Sequence, residues 1–273
     1  MSSESVSYRT IGIIGLGNVG MAMARGWLGA PYLELELTVC DVDVARVAAA
    51  VEAGGSRVKV AASPSEAAQL SDAVIVAVKP KDLEGVLGGL AGVVGSGDIV
   101  ISTAAGVELE ELRSVLGPSP SLYRIMPNLA VAVGQGAIAL APAAGSRPEE
   151  AQGVVQLLGL LGLVETLPEA QFNTATALGG SGPGFLALIL EALEDGAVRM
   201  GMDRAIARRI ARQMALGTAH ILLPERGSSA ELKDRVATPG GTTIAGLAVL
   251  EDRAVRGAVL RAVEAAAERG KRL

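Results

Sequence analysis

Apolar residues along the first half of the chain follow two alternating patterns. Short runs rich in valine, isoleucine and leucine have the composition of buried parallel strands, and the stretches between them repeat apolar residues at a helical period. This alternation predicts an α/β domain with a doubly wound, mostly parallel sheet. Strands are predicted at 10–14, 35–40, 72–78, 99–102, 123–126, 137–141 and 164–167, and a helix at 154–161.

After Pro168 the strand pattern stops and only helical periods remain. The sequence therefore predicts two domains, an α/β domain over 1–168 and an all-α domain over 169–273. The second domain is apolar and rich in Gly and Ala, so its helices are expected to bury surface against a partner subunit. Its helices are predicted at 185–200 and after the capping residues Asp203, Ser228 with Glu231, and Asp252.

A glycine-rich loop follows the first predicted strand directly and leads into a helix. A G-x-G-x-x-G motif in this context is typical of dinucleotide binding: the first glycine makes the turn, the second admits a pyrophosphate, and the third allows close packing of helix and strand. The plain alternative is an ordinary strand–helix turn. The residues expected to contact the cofactor are Gly15, Leu16, Gly17, Asn18 and Val19.

Asp41 ends the second predicted strand, where an acidic residue can accept hydrogen bonds from the adenosine ribose. It would repel a 2′-phosphate, and no arginine follows before Arg46, a turn into the next helix. NADH is therefore favoured, with NADPH also possible. Asp41 could also serve as the cap of that helix.

The segment Thr238–Ile244 places a Pro-Gly-Gly turn directly before a helical pattern. The first N–H groups of a helix have no partner within it, and glycine lets a ligand approach them closely. Two threonines add hydroxyls at the same place. The segment predicts a carboxylate or phosphate site, and a simple capped helix start is the alternative.

Composition and charge narrow the function. The chain has 273 residues and a net charge of −5, with acids and bases interspersed, which argues against a nucleic-acid or anionic-membrane surface. Cys40 is the only cysteine, so no internal disulfide can form and a cytoplasmic location is expected. The apolar run 185–193 is too short to span a bilayer, and no membrane association is expected.

The usual catalytic side chains are nearly absent. His220 is the only histidine and lies among apolar residues, which favours a structural role, and no Cys/His metal cluster or Ser-His-Asp set is present in the sequence. No metal site is predicted. A nicotinamide-dependent reduction of a protonated C=N bond fits better, because an iminium is electrophilic without a strong acid beside it.

The chain closely resembles the pyrroline-5-carboxylate reductases, which form proline from a cyclic imine carboxylate. The resemblance extends from about residue 10 to 270, in family order and spacing. The motifs that carry it are Gly15-x-Gly17-Asn18, Ala77-Val78-Lys79-Pro80, Ala104-Ala105-Gly106-Val107, Met126-Pro127-Asn128, Gly180-Ser181-Gly182-Pro183 and Leu232-Lys233-Asp234 leading into Thr238-Pro239-Gly240-Gly241-Thr242-Thr243.

The resemblance implies a Rossmann domain followed by a helical domain that interleaves with its partner in a homodimer, and dimers that can assemble into a decamer. It implies Thr243 as the catalytic residue that hydrogen-bonds the ring nitrogen. The substrate-binding residues would be Thr238, Gly240, Gly241, Thr242 and Thr243. The cofactor-binding residues beyond the glycine loop and Asp41 would be Ala77, Val78, Lys79, Pro80, Ala104, Ala105, Gly106, Asn128 and Glu169.

Departures from the family pattern leave alternatives open. Leu129-Ala130 stand where Thr-Pro is usual, Gly184-Phe185 where Ala-Tyr is usual, Pro64 where an asparagine is common near the cofactor ribose, and Arg235 where a smaller polar residue is frequent. A related cyclic-imine reductase acting on another ring is one alternative. A β-hydroxyacid dehydrogenase is another, although no Lys follows the glycines at 179–182 before Lys233. A non-catalytic nucleotide-sensing protein is the third, and the intact glycine set and Thr242-Thr243 pair argue against it.

Overall fold

The computed structural model describes residues 8–30, 35–223 and 227–272. It divides into two compact units. The first unit runs to Ser181 and also takes in the residues from Ala266 onward, and the second is Gly182–Ala265. The predicted domain boundary at 168/169 stays a prediction.

The first unit is built on one eight-stranded sheet of order β3-β2-β1-β4-β5-β6-β7-β8. Neighbouring strands are parallel except β6 and β7, which are antiparallel. The predicted doubly wound α/β fold is therefore confirmed. The strands are β1 (Thr10–Ile14), β2 (Glu36–Cys40), β3 (Val58–Val60), β4 (Ala73–Val76), β5 (Ile99–Ser102), β6 (Ser121–Met126), β7 (Gly136–Pro142) and β8 (Gly162–Thr166).

Twelve α-helices accompany these strands in the part of the chain that the structure describes. Short 3₁₀ turns occur at Gly55–Arg57, Leu129–Val133 and Glu169–Gln171, and a π-helical turn at Thr176–Gly180. The helices are α1 (Asn18–Gly29), α2 (Val44–Gly54), α3 (Pro64–Gln69), α4 (Pro80–Leu90), α5 (Leu109–Leu116), α6 (Pro148–Gly159), α7 (Phe172–Ala175), α8 (Gly182–Arg199), α9 (Arg204–Leu222), α10 (Ser229–Val236), α11 (Thr242–Asp252) and α12 (Val255–Gly270).

Two hydrophobic cores hold the first unit together. Strands buried on both faces, such as β4 and β5, contribute to both cores, since alternate side chains of a strand point to opposite faces. Aliphatic side chains fill most of this volume, and Trp27, Tyr123 and Phe172 are the largest fully buried residues. The Trp27 indole N–H donates to the Leu157 carbonyl at 3.1 Å, which satisfies its polar atom within the core.

Side-chain caps begin two helices of the second unit, α9 and α10. Asp203 caps α9 through its carboxylate, which accepts the Ala205 and Ile206 N–H groups. Ser228 and Glu231 form both halves of a capping box at α10. The predicted capping role of Asp252 is wrong, because this residue ends α11.

Three predicted elements differ in extent or were missed. The strand at 72–78 shortens to β4, and the helix at 154–161 begins earlier, with α6. Strand β3 was not predicted, because only Val58 of its three residues is buried and its pattern lacks an apolar run. The strand forms because it pairs with β2, and the local sequence pattern does not indicate this pairing.

The second unit exposes many apolar side chains when it is described by itself, among them Leu188, Ile210 and Leu260. Its α8 and α9 are joined by the Glu194–Arg208 ion pair, with the Glu194 side chain 9 % exposed. The helical run Glu169–Arg199 is longer than the apolar stretch at 185–193, and by length and composition alone it could cross a membrane, with a mean hydropathy of 1.3. Only 6 % of its most apolar window is buried, as expected also for a helix that packs against another subunit.

Replacement by alanine should have opposite effects on stability at two glycines of α1, Gly20 and Gly29. A Cβ at Gly20 would collide with the Gly15 carbonyl oxygen, whereas a Cβ at Gly29 meets nothing within 4 Å. Gly20→Ala should lower the free energy of unfolding by roughly 1–3 kcal/mol through overpacking. Gly29→Ala should raise it by up to about 1 kcal/mol through helix propensity. Urea unfolding at one protein concentration measures both, and equal shifts would contradict the proposed close approach at Gly20.

Candidate functional site

The glycine loop between β1 and α1 is shaped by close backbone approaches. Gly15 has φ +96°, and its N–H donates to the Cys40 carbonyl at 2.8 Å. A Cβ at Gly15 would press on the Ala77 carbonyl group at 2.8 Å, and one at Gly20 would collide with the Gly15 oxygen. A Cβ at Gly17 would meet nothing within 4 Å. The first and third glycines are therefore required by packing, and the second leaves the backbone open to a ligand.

The start of α1 has no side-chain cap. Gly17 is its N-cap residue, and no side chain accepts a hydrogen bond from the first turn. A cavity of about 570 Å³ lies beside it, lined by Leu16, Gly17, Asn18, Arg46 and neighbouring residues of α1, α2 and the 129–133 turn. Free N–H groups at the positive end of a helix dipole suit a pyrophosphate, so this loop fits a dinucleotide.

Asp41 lies directly after β2, but its carboxylate is already used by the loop. Oδ2 accepts the Leu16 N–H at 2.5 Å and Oδ1 accepts the Asp43 N–H at 2.8 Å. Its side chain is 5 % exposed. Asp41 does not cap α2; Asp43 does, accepting the Ala45 N–H at 3.0 Å. Burial, with the neighbouring Asp41 carboxylate, raises the pKa of the Cys40 thiol.

Arg46 lies close to Asp41, although it is five residues further along the chain. Its Nη1 lies 3.8 Å from Asp41 Oδ2 and its Nε lies 3.1 Å from Asp43 Oδ2. Although Arg46 is a turn into α2, its long side chain returns to the end of β2. The expectation that no arginine lies near Asp41 is therefore wrong.

Two further loops lie at the same edge of the sheet as the glycine loop. Residues 77–80 follow β4 and residues 103–106 follow β5, and both strands are parallel to β1. The Ala77 N–H donates to the Ile14 carbonyl at 2.8 Å, which ties the first of these loops to the end of β1. Lys79 is exposed and precedes Pro80 at the start of α4, where no side chain caps the helix. The structure thus brings the predicted residues Ala77–Pro80 and Ala104–Gly106 to one edge.

Asn128 follows β6, and both its amide oxygen and its amide nitrogen make hydrogen bonds within the protein. Its oxygen accepts the Ala130 N–H at 3.1 Å and the Ala137 N–H at 3.4 Å, and its nitrogen donates to the Gly179 carbonyl at 3.0 Å. The side chain therefore joins three segments of the first unit. Its nitrogen makes one described hydrogen bond, so a second N–H of the amide is left for a cofactor.

Glu169 is likewise held by the protein itself. Its Oε1 accepts the Leu109 N–H at 2.9 Å and the Arg124 Nη1 at 2.8 Å. The Arg124 guanidinium lies 4.9 Å from the centre of the Phe172 ring, and its side chain is 5 % exposed. This buried cluster was not predicted; its one signal is a charged residue inside the apolar strand β6. Glu169 anchors the start of α5, which follows the Ala104–Gly106 loop.

The predicted anion site lies in the second unit, at the start of α11. Gly240 has φ +68°, and Gly241 is the N-cap residue, with no side-chain hydrogen bond to the first turn. The Gly241 N–H donates to the Thr238 carbonyl at 3.0 Å, and a Cβ at Gly241 would collide with Thr238 Oγ1.

The two threonines at this helix start are open to a ligand. Across residues 8–30, 35–223 and 227–272, no partner hydrogen-bonds the hydroxyl of Thr242 or of Thr243. Thr242 is exposed and Thr243 is half-buried. His220, expected in the middle of an apolar helix, lies in the last turn of α9 and is exposed in its unit.

Comparison with known proteins identifies both halves of the chain. Residues 169–273 match the family model described as pyrroline-5-carboxylate reductase dimerisation, and residues 10–106 match the model described as NADP oxidoreductase, coenzyme F420-dependent. Pyrroline-5-carboxylate reductase 3 of Macaca fascicularis is 38 % identical over 273 residues, covering 100 % of this chain and 99 % of its own length. Pyrroline-5-carboxylate reductase of Escherichia coli is 33 % identical over 97 % of this chain and 98 % of its own length.

The fold of this chain is also similar to that of solved pyrroline-5-carboxylate reductases. A pyrroline-5-carboxylate reductase from Coxiella burnetii superimposes with a TM-score of 0.87 at 29 % identity, over 96 % of this chain and 97 % of that chain. The enzyme from Plasmodium falciparum, solved with NADP bound, superimposes with a TM-score of 0.85 at 26 % identity, over 97 % of this chain and 98 % of that chain. On full-length similarity of sequence and fold, the chain belongs to the pyrroline-5-carboxylate reductase family.

Proposed function

We propose that this chain reduces the C=N bond of 1-pyrroline-5-carboxylate to L-proline with a reduced nicotinamide cofactor. The observation that carries the proposal is the start of α11, where a glycine N-cap leaves backbone N–H groups without a side-chain partner beside two unbonded threonine hydroxyls. Full-length relatives named for this reaction support the same substrate.

The α11 start suits each polar group of the substrate. The N–H of Thr242, in the first turn of α11, can be donated to a carboxylate, and the helix dipole favours the negative charge; the Gly241 N–H is donated to the Thr238 carbonyl instead. The Thr243 hydroxyl can accept a hydrogen bond from the protonated ring nitrogen, which holds the iminium in one orientation. A bound reduced nicotinamide would supply a hydride to the imine carbon, which becomes C5 of proline. The nitrogen then keeps its proton and becomes the secondary amine of proline.

The glycine loop and the adjacent loops would hold the dinucleotide. The N–H groups of residues 17–19 suit the pyrophosphate, while those of Gly15 and Leu16 are donated to Cys40 and Asp41 and shape the loop. The loops at 77–80 and 104–106 flank it at the same edge. Asn128 and Glu169 would act at least by fixing these loops, because Asn128 bonds backbone groups of three segments and Glu169 Oε1 accepts the Leu109 N–H. The Asp41 carboxylate favours NADH, since its charge lies where a 2′-phosphate would come close.

The proposal extends to assembly and location. Exposed apolar side chains on α8, α9 and α12 fit the expected homodimer with interleaved helices, and dimers of this kind can form a decamer. The single cysteine fits a cytoplasmic location.

A cyclic imine with another ring size is the second candidate. Arg235 near the substrate loop and Gly184-Phe185 at the start of α8 are the departures that favour it, because both change size or charge beside the family's substrate motifs. Turnover of pyrroline and piperideine carboxylates, compared by kcat/KM, decides between the two rings.

Thr243 provides the sharpest test of the substrate geometry. Thr243→Val keeps the volume and removes the hydroxyl, so kcat/KM should fall by roughly 5–150-fold, the equivalent of 1–3 kcal/mol. Thr243→Ser retains the hydroxyl and is the matched control, expected to keep most of the activity. If both variants have the activity of the parent, Thr243 does not hold the ring nitrogen.

Gly241 tests the carboxylate contact separately from the cofactor. Gly241→Ala places a methyl group against Thr238 and into the path of the carboxylate. The KM for the imine should rise by about 10–100-fold, the range for losing hydrogen bonds to a charged group. The Kd for NADH should be unchanged. Gly246→Ala, in the same helix where a Cβ meets open space, is the control. Parallel losses of NADH and imine binding in Gly241→Ala would show that the two sites are not separable.

A further inference from the structure

Three backbone groups fix the orientation of the Asn128 amide. Its oxygen accepts the N–H of Ala130 at 3.1 Å and that of Ala137 at 3.4 Å, and its nitrogen donates to the Gly179 carbonyl at 3.0 Å. Turning the amide over would place its NH₂ group against two N–H donors and its oxygen against a carbonyl. Only one orientation therefore satisfies all three partners.

This orientation limits what Asn128 can offer a ligand. An amide side chain has two lone pairs on its oxygen and two N–H donors on its nitrogen. The N–H groups of Ala130 and Ala137 occupy both lone pairs, whereas Gly179 takes one donor of the two. The side chain is half-buried, so a ligand can reach it. Asn128 can then give a ligand one N–H and no acceptor.

Ala130 supplies the contact on which this limit depends. It is the second residue of the turn Leu129–Val133, and Asn128 is the N-cap residue of that turn. Among the residues that the structure describes, the Asn128 oxygen is the acceptor of the Ala130 N–H. Proline is usual at this position in the family pattern and has no N–H to donate. With proline there, the Asn128 oxygen would keep a lone pair for a ligand.

The sheet order places Asn128 toward the nicotinamide end of the proposed cofactor site. Asp41 follows β2 on one side of β1, and β4, β5 and β6 lie on the other side. A dinucleotide crosses such a sheet where the strand order reverses, with its adenosine on the β2 side. Asn128 comes soon after β6, whose parallel pairing with β5 brings its carboxyl end to the same edge. The strong acceptor on a reduced nicotinamide ring is its carboxamide oxygen.

We propose that Ala130 is a positioning residue: its N–H holds the Asn128 amide so that Asn128 meets the cofactor as a donor alone, to the carboxamide oxygen of the nicotinamide. The inference rests on the dinucleotide site proposed above. Because Asn128 has no free acceptor, it makes no bond to the carboxamide NH₂ group. The site therefore reads one atom of the carboxamide through this residue.

The test is a set of equilibrium titrations of the full chain with NADH, its thionicotinamide analogue, its 3-acetylpyridine analogue and ADP-ribose. The thio analogue replaces the carboxamide oxygen by sulfur, a weak acceptor, and the acetyl analogue keeps the oxygen but lacks the NH₂ group. For the parent, the Kd of the thio analogue should exceed that of NADH by about 2–10-fold, the range for one neutral hydrogen bond.

Asn128→Asp tests the donor. The substitution keeps oxygens that can accept the Ala130 and Ala137 N–H groups, and it removes both N–H donors. The added charge can weaken every dinucleotide, so the measured quantity is the ratio of the thio-analogue Kd to the NADH Kd. That ratio should fall to about one, because neither oxygen nor sulfur then meets a donor from this residue.

Ala130→Pro tests the positioning role, with Ala130→Ser as the matched control that keeps the N–H. Proline is tolerated in the first turn of a helix, and here it removes the N–H that Asn128 accepts. The freed lone pair can accept from the carboxamide NH₂ group, so the ratio of the acetyl-analogue Kd to the NADH Kd should rise about 2–10-fold above that of the parent. Ala130→Ser should keep the parent ratio. ADP-ribose, which lacks nicotinamide, should bind all variants within about twofold and so reports folding.

Each contrary result overturns the inference and leaves the proposed function standing. A parent that binds the thio analogue and NADH equally makes no bond to the carboxamide oxygen. An unchanged thio-to-NADH ratio in Asn128→Asp assigns that bond to another residue. Parent ratios in a folded Ala130→Pro variant, or the same change in Ala130→Ser, remove the role of the Ala130 N–H. A parent that binds no dinucleotide overturns the proposed function as well.

Discussion

Backbone N–H groups at a helix start have no partner inside the helix, and several helices of this chain satisfy them with a side chain. Asp43, Ser63, Asp203 and Ser228 accept these groups at α2, α3, α9 and α10. Among the α-helices whose caps are described, only α1 and α11 have glycine at the N-cap position, and neither has a side-chain cap. The two glycine-capped starts are those expected to bind the two anions of the reaction, the pyrophosphate and the carboxylate.

This arrangement explains how the chain can be an enzyme with so few ionisable groups at its site. Reduction of an iminium needs a carboxylate held, a ring nitrogen oriented and a hydride donor positioned, and backbone groups with one hydroxyl can meet the first two needs. The charged residues near the cofactor loops serve the fold instead. Glu169 and Arg124 fix the start of α5, and Asp41 fixes Leu16 in the glycine loop.

The sequence predicted most features that depend on local chain properties. The glycine spacing at 15–20, the caps at Asp203 and Ser228, and the strand–helix alternation are set by neighbours along the chain, so their patterns could be interpreted directly. The contacts of Asp41, Asn128 and Glu169 could not, because their partners lie 25, 51 and 60 residues away. Arg46 was set aside because sequence distance does not show where a long side chain returns.

The surface that covers the apolar helices of the second unit could likewise not be predicted from local sequence. Their pattern indicated burial, but the covering surface is not within the unit, and the family model for this region is one of dimerisation. Which side chains are covered, and by what, depends on a second chain that no periodicity along one sequence specifies.

The central claim is that hydride passes to an imine carbon of a cyclic carboxylate. The most direct measurement supplies 1-pyrroline-5-carboxylate with nicotinamide cofactor deuterated at the transferring position and analyses the product by mass spectrometry and NMR. The account predicts proline with one deuterium, located at C5, formed in equal amount to the cofactor oxidised. Cofactor oxidation with keto acids, or reduction of the oxidised cofactor with hydroxy acids, but no cofactor oxidation with pyrroline or piperideine carboxylates would contradict it.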